Sequence, residues 1–162
     1  MLETPLMGGK IYLITNITIE KMKYLIIDTW NGEGYSDSGI VDTATTEAEA
    51  VQKIIKEFGE RYVSMTEDFE CEWIQGKFVT FDNGQDQGAV QYLEAGIDDR
   101  YVVINPMVNH AYVTSDSFNM LKLMLTGMGS TEGAIESLKE EILKVGHGMV
   151  EHNDGELIIQ KI

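Results

Sequence analysis

The segment Gly32-Glu33-Gly34-Tyr35-Ser36-Asp37-Ser38-Gly39 places glycines directly after a strand-like run, the arrangement that cradles phosphates in nucleotide-binding loops. Its details point elsewhere. A dinucleotide fingerprint needs Gly where Asp37 stands and a helix that opens at once, whereas helical periodicity begins near Thr46. Glu33 and Asp37 would repel a phosphate, and the loop has no Lys to act as a P-loop cation. The segment is a turn-rich connection carrying acids and Tyr35, with Trp30 at its root. Such a loop suits contact with a partner, and it is also the place near which a small-molecule or hydrolase site would be sought.

Three other groupings carry donor atoms. Asp82-Asn83-Gly84-Gln85-Asp86-Gln87-Gly88 has the oxygens and glycines of a calcium loop, but positions six and twelve are Gln87 and Leu93 where an EF-hand needs Gly and Glu. Cys71 lies between Glu70 and Glu72, which disfavour a thiolate, and alternation groups it with Phe69 and Trp73, so it reads as buried and inert. His147, Glu151 and His152 are ligand types, yet on a strand His147 and Glu151 share a face while His152 points away. No Ser-centred nucleophile elbow and no helical His-Glu-x-x-His pattern occurs, and no acid and base pair can be assigned among the carboxylates. The expectation is a protein that is not an enzyme, with no catalytic residues, no metal and no cofactor.

The elements that must position these residues follow from periodicity. Lys10 to Ile19 and Met22 to Trp30 predict a hairpin, its second strand presenting Tyr24, Ile26 and Trp30 on one face and Leu25 and Ile27 on the other. With both faces apolar, that hairpin should lie centrally. Thr46 to Phe58 predicts an amphipathic helix, with a capping box from Thr46 and Glu49 and a C-terminal cap at Gly59. Arg61 to Met65 predicts a short strand. Phe69 to Gln75 and Lys77 to Asp82 predict a second hairpin, followed after Asn83 to Gly88 by a strand from Ala89 to Glu94. Strands are expected at Arg100 to Asn105 and His110 to Thr114. Helices follow from a cap at Ser115 or Asp116 to Thr126, stopped by Gly127, and from a cap at Ser130 or Thr131 to Val145. The second of these buries Ile135, Leu138, Ile142 and Val145. Met149 to Ile162 predicts a hairpin turning at Asn153-Asp154-Gly155. The helix from Ser117 is apolar nearly all round, which predicts full burial, or a side at Met120 and Met124 that packs on another chain. The order of elements predicts one α+β domain over residues 1–162: mostly antiparallel sheet built from hairpins, packed by about three helices.

Composition narrows the partners. The chain has 162 residues, 27 Asp and Glu against 12 Lys and Arg, a net charge of −15, and a single Cys. One cysteine excludes a disulfide framework and fits a reducing cytosol, and no apolar run reaches the ~18 residues that cross a bilayer. No signal peptide is read at the N-terminus. The acids are uneven: from Tyr62 to Leu121 ten carboxylates face only Lys77 and Arg100, and from Asp28 to Gln52 six face no base. Such a field repels nucleic acid and anionic lipid and attracts basic protein surfaces. The expected function is a small cytoplasmic acidic interaction protein, an inhibitor or nucleic-acid mimic that engages a basic surface on a nucleic-acid-handling protein, of a kind that suits a phage or mobile element. Its partner-binding residues are expected at Trp30, Glu33, Tyr35, Asp37, Glu70, Glu72, Asp82 and Asp86. The alternatives are a structural homo-oligomer or virion subunit using Met120 and Met124, with acidity serving solubility, and a small-molecule binder or hydrolase near loop 31–39.

Overall fold

The structure is a computed structural model that describes residues 23–30, 38–60, 70–74, 77–82 and 86–162. The strands expected at 10–19 and 61–65 and the body of loop 31–37 lie outside these residues.

Alternation of apolar side chains over two faces makes β1 (Lys23–Trp30) a central strand. It pairs antiparallel with β2 (Gly39–Ala44) on one side and with β5 (Asp86–Ala95) on the other. The hairpin of β3 (Glu70–Ile74) and β4 (Lys77–Asp82) continues beyond β5, giving a five-stranded sheet in the order β2-β1-β5-β4-β3. A second antiparallel sheet is formed by β6 (Tyr101–Asn105), β7 (His110–Thr114), β8 (His147–His152) and β9 (Gly155–Lys161), in the order β7-β6-β9-β8. The expected α+β architecture is therefore present, with three α-helices among the described residues: α1 (Glu47–Phe58), α2 (Phe118–Gly127) and α3 (Glu132–Val145).

The apolar faces stack these elements in four layers. Ile26 and Val90 of the first sheet bury against Ala50, Ile54 and Phe58 of α1. The opposite face, with Leu25, Ile27 and Ala95, meets Val102, Ile104, Ala111 and Ile158 of the second sheet. On that sheet's outer face Val103, Val150, Leu157 and Ile159 receive Leu121 and Leu125 from α2 and Ile135, Leu138 and Ile142 from α3. Each such fully buried Leu or Ile contributes roughly 2 kcal/mol by area. No described helix is long and apolar enough to cross a membrane.

Several local expectations are corrected. Strand β2 is not among the expected elements: only Gly39 belongs to the loop read over 31–39, and residues 40–44 carry no assignment; Val41, Asp42 and Thr43 are exposed, so the sequence lacks the buried alternation that announces a strand. Strand β5 begins at Asp86, converting part of the turn-rich stretch into ladder. Strand β8 begins at His147, two residues ahead of the expected hairpin. The cap of α2 is Ser117, whose hydroxyl accepts from the Met120 N–H at 3.4 Å, and Gly127 stays within the helix. Thr46 caps α1 by accepting the Glu49 N–H at 3.1 Å, but Glu49 reaches one residue further back than a capping box requires, accepting the Thr45 N–H at 2.8 Å. Gly59 is the C-cap of α1 as expected, but it stays right-handed at φ −62°, so its conformational freedom goes unused. Val145, expected in the buried stripe, is 60% exposed as the last residue of α3. Helix α2 is not buried all round: Leu121 and Leu125 face the core, while Met120 and Leu123 are 51% and 67% exposed.

Candidate functional site

A cleft of about 480 Å³ opens where the edge strands β2 and β8 of the two sheets approach each other. The second sheet supplies His147, Met149, Ile158 and Gln160, the first Ser38, Gly39 and Ile40, and the last turns of α3 add Glu141 and Val145. Register explains the grouping. Gln160 pairs with His147 and Ile158 with Met149 across β9 and β8, so all four occupy the face toward the first sheet. Gly148 lies on the opposite face, where a Cβ would stand 2.7 Å from Glu141 Oε1 and 2.9 Å from Glu141 Cβ. A bare backbone at this position is what lets α3 lie close over β8 and bring Glu141 to the rim.

Hydrogen bonds fix the polar walls. The buried Ser38 hydroxyl accepts the Trp30 N–H at 2.9 Å, and Gln160 Oε1 accepts the Ile40 N–H at 3.1 Å, tying the second sheet to the edge of the first. Ser38, His147 and Glu141 are the residue types of a nucleophilic relay, yet no hydrogen bond joins them among the described residues; Ser38 is engaged by the backbone instead.

A second polar cluster sits between the sheets. Asn109, 1% exposed and left-handed at φ 52°, receives the Thr29 hydroxyl on Oδ1 at 2.8 Å. Its carbonyl accepts Lys77 Nζ at 2.7 Å and Gln91 Nε2 at 3.3 Å. Burial pushes the Lys77 ammonium below its ordinary pKa. These bonds satisfy the β6–β7 connection where it docks on the first sheet, which makes the cluster a structural clamp.

The residues expected to bind a partner fall unevenly. Glu33, Tyr35 and Asp37 lie outside the described residues. Trp30 is half-buried and packs against the core under α1. Glu72 is exposed. At the backbone level Glu70 pairs with Phe81, Asp82 with Asp86 and Trp30 with Gly88, so these strand positions gather at one end of the five-stranded sheet. Met120 is exposed as described, whereas Met124 is half-buried against the core and its sulfur accepts the Tyr112 hydroxyl at 3.5 Å. Of the stretch compared with a calcium loop, Asp82 ends β4 and Asp86 begins β5, and residues 83–85 lie outside the described residues. His147 lines the cleft, while Glu151 and His152 border a separate recess of about 110 Å³ at the start of α3.

Sequence reasoning passed over Glu141 and Gln160 altogether, and it placed Val145 in the buried stripe of α3 rather than at a cleft. The available signal was Gly148, a glycine next to the apolar pair Met149-Val150 at the start of a strand, which can mark a close backbone approach. The chain matches no family model, no curated protein and no solved structure.

Proposed function

We propose that this is a non-enzymatic, cytoplasmic acidic interaction protein that occupies a basic surface on a nucleic-acid-handling protein, as an inhibitor or decoy. The observation that supports it most is the row of carboxylates on α3. Glu132, Glu136 and Glu140 are exposed and recur every four residues, about 6 Å apart along the helix axis. Lys139 and Lys144 lie on the same helix but form no ion pair with them. The ion pairs among the described residues involve only Lys53 and Lys56, with Asp42, Glu49 and Glu60. The charge is therefore displayed to solvent, where it steers encounters with basic surfaces.

Capture from host lysate at low and high salt, read by mass spectrometry, tests this. A basic nucleic-acid-handling protein should be retained at low salt, released at high salt, displaced by added DNA or RNA, and bound more weakly by a Glu132→Gln, Glu136→Gln, Glu140→Gln variant. Capture indifferent to salt and to these substitutions would replace this reading with an oligomeric one. That second reading has its own support, because Met120, Leu123 and Tyr112 are exposed beside β7, the edge of the second sheet. Sedimentation of the native chain and of a Leu123→Lys variant decides it.

A further inference from the structure

We propose that the cleft between β2 and β8 binds an arginine side chain presented by an extended segment of another protein. This goes beyond the acidic-surface reading and does not depend on the carboxylates of α3 that carry it. Three oxygen-bearing side chains from three elements line the cleft: Ser38 ahead of β2, Gln160 on β9, which holds the first sheet to the second, and Glu141 of α3 at the rim, against the outer face of β8 at Gly148. Ser38 Oγ and Gln160 Oε1 each accept one backbone N–H, from Trp30 and Ile40, and each retains a further lone pair. Glu141 supplies a full negative charge and has no cation within ion-pair distance among the described residues. A guanidinium offers five donors in a planar fork and is best met by several oxygens, at least one of them charged.

The remaining walls fit the rest of the side chain. Ile40, Val145 and Met149 provide apolar surface for an aliphatic stem that carries its charge to the rim. An anion is disfavoured by Glu141 and by the net charge of −15. His147, the other ionisable group at the cleft, is exposed on β8. Strand β8 ends its sheet among the described residues, so alternate backbone groups along its outer side can pair with an added strand. That edge is the reason for assigning the arginine to an extended segment.

The test titrates the isotope-labelled full chain with a blocked hexapeptide of Thr and Val around a central Arg, and with the same peptide carrying citrulline, followed by amide chemical shifts. Shifts should concentrate at Ser38 to Ile40 and Gly146 to Met149. Affinity should fall at least about tenfold with citrulline and with Glu141→Gln, the loss expected for a charge-assisted contact. Val145→Trp, at an exposed rim position, should block binding while leaving the spectrum elsewhere unchanged. Equal binding of the citrulline peptide, indifference to Glu141→Gln, shifts confined to the outer face of α3, or no binding at millimolar peptide would each overturn the proposal. Equal binding of free arginine amide would overturn the extended segment. Failure here leaves the lysate result with Glu132, Glu136 and Glu140 untouched, so the two readings fail separately.

Discussion

Asp42 and Glu49 show how single carboxylates are held on this surface. Asp42 lies below its ordinary pKa because its Oδ1 accepts the Thr43 N–H, with Lys53 adding attraction. Glu49 is lowered chiefly by the Thr45 N–H and then by Lys53. Both bind protons less readily folded than unfolded, so their stabilisation is complete above the ordinary carboxylate range and is lost as pH falls through the lowered values. The melting temperature of Glu49→Gln should therefore lie below that of the native chain at neutral pH, and the gap should close below about pH 4. A gap unchanged down to strong acid would mean that the bond to Thr45 is not its source. The pairing of Thr46 with Glu49 was legible in the sequence because capping is local. Gln160 and Ile40 were not, because they stand 120 positions apart and no local pattern links the two.

Helix α2 separates two properties that its composition confounds. Its residues are nearly all apolar, so periodicity alone cannot say which side is covered. The structure covers Leu121 and Leu125 and leaves Leu123 outside. Leu121→Ala should cost about 2–5 kcal/mol through lost burial and the cavity left behind, and Leu123→Ala within about 0.5 kcal/mol of nothing. Urea denaturation of the two variants measures both, and similar losses would mean that the exposed side is covered in solution. The strands buried on both faces, β1 and β6, were visible in the sequence as apolar runs, a signal that β2 lacks. An edge strand held by main-chain pairing to one neighbour needs no particular side chains, so Ile40 to Ala44 carries little signal.

Across the whole molecule, the excess of carboxylates over cations acts against the compact state, because folding concentrates like charges. Screening should relieve part of this. Raising sodium chloride from ~20 mM to ~500 mM, which shortens the Debye length severalfold, should raise the melting temperature at neutral pH. A melting temperature that falls instead would show that the few ion pairs of Lys53 and Lys56 outweigh the repulsion. The layer count was beyond sequence reasoning even though the fold class was not. Hairpins announce antiparallel sheet, but the division into two stacked sheets depends on which apolar faces meet, and Leu25 and Ile158 find each other only in space.

The two sheets are also consecutive in the chain: the described strands of one end at Ala95, and those of the other begin at Tyr101. On the ribosome the first sheet is complete in sequence before any strand of its covering layer has been made. Among the described residues, Leu25, Ile27, Leu93 and Ala95 then form an apolar face whose partners Val102, Ile104 and Ile158 have yet to emerge. The interval between those two events is when this chain is most exposed to aggregation, and a nascent chain stalled near Arg100 should be a better substrate for a chaperone than the finished protein.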